Sequence, residues 1–96
     1  MLKGNDLITR CRELTPGWEV IREHHLRKEF KFKNFIDALE FTNRVGKIAE
    51  EEGHHPDIFL SWGKVVLESW SHKVDGLTES DFKLAKRCDQ ASSFTA

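Results

Sequence analysis

The sequence predicts an α+β fold, a two-layer domain with a four-stranded antiparallel sheet covered by three helices in the order α-β-β-α-β-β-α. Three observations carry this reading. Four short segments alternate apolar with polar or charged residues, and three longer ones repeat apolar residues every three or four positions. Gly, Pro and capping residues punctuate the boundaries between them. Ninety-six residues suit a single domain, expected to span 1–96. With 39% apolar composition, seven Phe and three Trp supply one aromatic-rich core, which excludes intrinsic disorder.

Asn5 or Asp6 can cap a first helix carrying Leu7, Ile8, Cys11 and Leu14, and Thr15-Pro16-Gly17 ends it. Trp18, Val20 and Arg22 then alternate with Glu19, Ile21 and Glu23. Leu26 to Phe32 alternates as well, giving a hairpin that turns near His24-His25. Asn34 caps the longest helix, which runs to about Glu52 and stops at Gly53. Its stripe is Phe35, Leu39, Thr42, Val45 and Ile48, widened by Phe41 and Ala49. A strand with Ile58, Leu60 and Trp62 on one face turns at Gly63 into residues 65–72, and Asp75-Gly76 ends that strand. Thr78-Glu79-Ser80-Asp81 reads as a capping box, with Leu77 and Phe82 as its hydrophobic staple. The small polar tail beyond Gln90 is expected to fray.

Charge and composition exclude several classes. Fifteen basic against sixteen acidic side chains leave a formal net charge of −1, with no bulk attraction to nucleic acid or anionic lipid. Arg27, Lys28, Lys31 and Lys33 interleave with Phe30 and Phe32, but Glu29 interrupts them, and a wet strand face is the reading adopted. No apolar run exceeds three residues, against the ~18–20 that span a bilayer. The first residues lack a basic segment leading into an apolar one, so a cytoplasmic protein is expected, with the nucleus also open to it. One disulfide between Cys11 and Cys88 is arithmetically allowed. Two free, buried thiols are the expectation.

Five histidines stand out: His24-His25, His54-His55 and His72. Imidazole exchanges protons near neutrality, which suits general acid–base work. Topology allows His54, His55 and His72 to line one pocket. Glu50 lies four residues before His54, a helical spacing at which a carboxylate can orient that imidazole. Trp62 and Trp70 offer flat apolar walls for a ring-shaped ligand, Trp70 sharing strand parity with His72 and Trp62 belonging partly to the core. His24-His25 reads as a solvated hairpin tip. No metal site is expected, because H-x-x-x-H spacing and a nearby Cys pair are both missing.

Taken together, Glu50-x3-His54-His55-Pro56-x5-Trp62-x9-His72-x8-Asp81 resembles the signature of the pterin-4a-carbinolamine dehydratases. Chain length, the expected element order and the run Phe30-Lys31-Phe32-Lys33-Asn34-Phe35 are similar to that family too. The resemblance implies dehydration of 4a-hydroxytetrahydrobiopterin to quinonoid dihydrobiopterin in tetrahydrobiopterin recycling, without metal or redox cofactor. It implies His55 as principal acid–base residue, assisted by Glu50, with His72 serving the hydroxyl on the other face of the ring. His54, Trp70, Ser71 and Asp57 would bind substrate, while Pro56, Trp62 and Asp81 would be structural. The capping box explains Asp81 in that role by itself. Partners implied are the pterin substrate and a second copy of the chain, as homodimer or homotetramer. A transcription-factor partner without catalysis, or pterin binding linked to molybdenum-cofactor metabolism, are the alternatives the resemblance brings with it. Neither direct nucleic-acid binding nor a membrane is among the expectations.

Overall fold

Alternation makes one face of a sheet apolar, and that face is where the helices gather. The computed structural model describes residues 1–93. Its elements are α1 (Asn5–Arg12), β1 (Glu19–Ile21), β2 (His25–Lys31), α2 (Phe35–Glu52), β3 (Asp57–Ser61), β4 (Lys64–Ser69) and α3 (Glu79–Ser92). All strand pairs are antiparallel, in the spatial order β1-β2-β4-β3, so β1 and β3 are the edges. The expected fold class and element order are both realised.

Register explains the core. Pairing of Phe30 with Val65, and of Leu60 with Val65 from the other side, puts these side chains on one face. Phe30, Val65 and Leu67 pack with Ala38, Phe41, Val45 and Ile48 of α2 and with Leu84 and Cys88 of α3. Leu7 of α1 joins Leu26, Leu77, Phe82 and Ala85 in a second cluster, where the expected staple residues meet. The opposite face stays open and carries charged rows such as Arg27 beside Glu68 (3.7 Å) and Lys64 beside Glu29 (3.8 Å). Phe30 and Phe32 both pack on Phe41, with ring centroids 4.6 and 5.2 Å away, so their rings are turned to the core side of the sheet.

Several boundaries differ from the sequence reading. Gly4, not Asn5 or Asp6, is the residue that caps α1, at φ 54°. The first hairpin turns through Arg22 and Glu23, both at φ 54°, and His25 is already paired with Ile21. On α2 the buried stripe is Ala38, Phe41, Val45, Ile48 and Ala49, whereas Phe35 and Leu39 are 42% and 38% exposed. The residues expected only to widen the stripe are therefore its centre. β4 ends at Ser69 and does not reach His72. Trp62 falls in the β3–β4 turn and is 69% exposed, outside the core, because β3 stops one residue before it. Gly63 beside it admits no side chain, since a Cβ there would lie 2.9 Å from the Phe32 carbonyl oxygen. α3 continues to Ser92 with Ala91 buried; the rest of the tail expected to fray, residues 94–96, lies outside the described residues.

One buried charge ties the layers together. Asp89 on α3 accepts from Lys28 Nζ at 2.9 Å, from Trp18 Nε1 at 3.0 Å and from the Thr15 N–H at 3.3 Å. Removing it leaves a lysine whose side chain is only 12% exposed without its carboxylate, with the Thr15 hydroxyl (2.9 Å) as its remaining acceptor. We expect Asp89→Ala to destabilise the fold by about 3 kcal/mol in urea unfolding, and Trp18→Phe, which removes one donor, by about 1 kcal/mol.

Cys11 and Cys88 are both free, Cys88 buried and Cys11 half-buried. Loss of hydration, reinforced by the Asp89 charge, pushes the Cys88 thiol up to about 12 from its ordinary value of 9.0. The unfolded thiol thus releases its proton first, so stability is fully present below pH 9 and is lost as pH rises toward 12. We expect a decline of about 1.4 kcal/mol per pH unit in that window from this group. Comparing the alkaline limbs of wild type and Cys88→Ala in urea unfolding checks it: the decline attributable to Cys88 should vanish in the variant.

A histidine cleft at the end of the long helix

Gly53 closes α2 in the left-handed conformation, φ 62°, and the His54 N–H turns back to the Ala49 carbonyl at 3.1 Å. That reversal separates the two adjacent histidines. His54 turns inward, its side chain 16% exposed, while His55 turns outward at 63%. Glu50 consequently meets His55 rather than His54, with Oε2 2.5 Å from His55 Nε2. The helical spacing that paired Glu50 with His54 stops applying where the helix stops.

The carboxylate that holds His54 comes from α3. Asp81 Oδ1 lies 2.6 Å from His54 Nε2 and accepts from Ser69 Oγ at 2.7 Å. Asp81 Oδ2 accepts from Ser71 Oγ at 2.9 Å and from the Thr78 N–H at 3.0 Å. The capping box forms as expected, yet it uses only part of a carboxylate that is fully buried. Asp81 is therefore more than a helix cap, since it anchors the inward imidazole to three segments of chain. A buried carboxylate with four donors is satisfied and rigid, and it fixes which imidazole nitrogen is left to face the solvent side.

The third histidine stands on a short loop after β4. Ser71 and Gly76 bridge across the neck of that loop, with the Ser71 N–H 2.8 Å from the Gly76 carbonyl. His72 stacks on Trp70 with ring centroids 4.7 Å apart and 27° between planes. Strand parity plays no part in this pairing, because the strand has ended. Between this loop and the Gly53–His55 corner opens a cleft of about 490 Å³. His54, His55, Trp70, Ser71 and His72 all line it. Its volume is in the range that holds a small heterocycle.

Of the other expected site residues, Pro56 is half-buried between His55 and β3, and Trp62 lies away from the lining in its turn. Asp57 is exposed on β3, paired across the sheet with Glu68, and does not line the cleft. Lys73, Val74 and Thr78 line it without having been singled out in the sequence. His24 and His25 are no free hairpin tip: their rings lie 5.2 and 5.9 Å from that of Trp70. Among the described residues, no group of three or more His, Cys, Asp or Glu side chains comes together as a metal site. None of the described helices is long and apolar enough to cross a membrane.

Comparison with known proteins gives a consistent result. The sequence profile of the family described as pterin 4 alpha carbinolamine dehydratase matches residues 2–91. A protein of Rubrobacter xylanophilus is 55% identical over 93% of this chain and 82% of its own length. One of Alkaliphilus metalliredigens is 50% identical over 96% and 83%. Each is provisionally named a pterin-4-alpha-carbinolamine dehydratase. The crystal structure of a transcriptional coactivator/pterin dehydratase from Brucella melitensis superposes with a TM-score of 0.89 at 28% identity, covering 95% of this chain and 97% of that one. A pterin dehydratase-like protein described as a RuBisCO assembly factor shares the fold, with a TM-score of 0.68 at 22% identity over 79% and 89% of the two chains.

Proposed function

The chain belongs to the pterin-4a-carbinolamine dehydratase family, and from that premise we propose that it dehydrates 4a-hydroxytetrahydrobiopterin in tetrahydrobiopterin recycling. The observation that carries the proposal is the convergence of three imidazoles on one cleft, two of them each bonded to a carboxylate.

The reaction breaks the N5–H and C4a–OH bonds, forms the N5=C4a double bond and releases water. It needs a base at N5 and an acid at the departing hydroxyl, both supplied by imidazole near neutral pH. We assign the principal acid–base role to His55, whose Nε2 is engaged by Glu50 and whose Nδ1 would exchange a proton with substrate. His72 serves the hydroxyl on the other face of the pterin ring. His54, locked by Asp81, positions the substrate, and Trp70 gives the ring a flat wall. Ser71 contributes through its hydroxyl, which is bonded to Asp81 and to Thr78 Oγ1 at 2.7 Å. Asp57 has no part in this assignment, being outside the cleft lining.

Assembly as a homodimer or homotetramer belongs to the same proposal. Phe35, Ile36 and Leu39 on α2 and Phe59 on the edge strand β3 are exposed apolar side chains that a second copy would cover. Sedimentation should find a dimer or larger at micromolar concentration; a monomer there would remove this part. A role as transcriptional coactivator, the other half of the Brucella protein's description, makes no demand on the three-histidine cleft.

Turnover of freshly generated 4a-hydroxytetrahydropterin, followed by absorbance, tests the function. Dehydration about 10²-fold or more above buffer is expected from positioned acid–base groups. A folded protein no faster than buffer would overturn the reading.

A further inference from the structure

His24 and His25 belong neither to the signature nor to the lining of the cleft, yet both rings press on its wall. His24 lies 5.2 Å from Trp70 and His25 5.9 Å, centroid to centroid, and Trp70 stacks in turn on His72 at 4.7 Å. Two polar ties hold the rings in place. The Nδ1 atoms of His24 and His25 are 3.1 Å apart, so one must donate and the other accept. His24 Nε2 lies 2.7 Å from Asp75 Oδ1.

Asp75 belongs to the same short loop as His72. Its N–H donates to the His72 carbonyl at 3.3 Å, within the loop closed by the Ser71–Gly76 bridge. Asp75 sits at φ 51°, a conformation that an L-residue adopts reluctantly, so a tie on its carboxylate resists relaxation of the loop. The His24 side is anchored as well. Arg22 and Glu23 precede it at φ 54°, and the Glu23 carboxylate accepts from the Gly4 N–H at 3.0 Å. Among the described residues no group of three or more His, Cys, Asp or Glu side chains gathers here as a metal site, and the pair is read as a mechanical tie.

From this geometry we infer that His24, backed by His25, is a positioning residue that clamps the Trp70–Asp75 loop and so sets the direction in which His72 faces the cleft. His24 touches Trp70 and Asp75, lies outside the cleft lining, and acts on proton transfer through His72. Its consequence for rate rests on the dehydratase reading above; the clamp itself is a property of the fold. A misplacement of about 1 Å at a reacting group costs up to ~10²-fold, and His72 is one of two groups moving protons, so the effect expected is about tenfold.

The test compares His24→Ala, His24→Gln and Asp75→Ala, each made in wild type and in His72→Ala. Alone, His24→Ala and Asp75→Ala should lower kcat about tenfold with KM changed less than about twofold. His24→Gln should recover part of the loss, because its amide can still donate to Asp75. In the His72→Ala background, His24→Ala should cost nothing further. Alongside, the His72 ring resonance, shifted by the Trp70 ring current, should move toward the value of a free imidazole in both His24→Ala and Asp75→Ala. An equal loss of kcat in both backgrounds, or no loss with an unmoved His72 resonance, would overturn the inference. Should wild type itself be no faster than buffer, the dehydratase reading falls, and the His72 resonance alone decides the clamp.

Discussion

Replacing His55 and His72 together by Ala is expected to bring dehydration down to within a few-fold of the uncatalysed rate. In the elimination one group takes the N5 proton while the other delivers a proton to the 4a hydroxyl, so each is worth ~10²–10⁴-fold when positioned. Because both act in the same step, the double variant should lose less than the product of the two single losses. Folding does not confuse this experiment. Both side chains are exposed, His55 at 63%, and neither belongs to the hydrophobic clusters. Stability in urea should stay within about 0.5 kcal/mol of wild type. Activity kept within about tenfold of wild type in the double variant would mean that other groups move the protons.

Asp81→Ala is expected to be the most destabilising single substitution near the cleft, by about 3–5 kcal/mol. It leaves Ser69 Oγ, Ser71 Oγ, the Thr78 N–H and His54 Nε2 without their common acceptor, a side chain that is itself fully buried. That is a large part of the ~5–15 kcal/mol that holds an ordinary domain together. Asp81→Asn separates stability from function. Its single carbonyl oxygen can serve about half of the four donors, so a loss of about 2 kcal/mol is expected and the protein stays folded at 25 °C. His54 is then no longer held in one tautomer, and KM for the pterin should rise more than kcat falls. Urea unfolding and steady-state kinetics on both variants measure the two effects.

Local rules made most of the fold legible. Asn34 does accept from the Asp37 N–H at 2.8 Å, Gly53 does take the left-handed end of α2, and Thr78–Asp81 does form its capping box. Each depends on neighbours within four residues, where sequence and geometry are nearly the same thing. What spacing could not show were choices made by packing. Phe35 and Phe41 are equally apolar, and only the position of the sheet decides that Phe41 is buried. Trp62 reads as the next inward residue of its strand until a turn one residue earlier releases it.

The cleft divides the same way. His54, His55 and His72 could be picked out by residue type, and the resemblance fixed their spacings. Spacing alone exchanged or missed their carboxylate partners, although the resemblance had Glu50 assisting His55. Glu50 moved from His54 to His55 at a single left-handed residue, and Asp81 reaches His54 across 27 positions of chain. His24 and His25 come to Trp70 through the pairing of β2 with β4, a register that no local pattern encodes.

Titrating the protein with an unreactive 7,8-dihydropterin while following its imidazole and indole resonances would test most directly that this cleft is the pterin site. The His54, His55 and His72 rings and the Trp70 indole should shift together and saturably, while the Trp18 and Trp62 indoles stay still. Shifts gathered at Trp62 and Phe59 on the sheet edge, or none among the three histidines at saturating ligand, would contradict it.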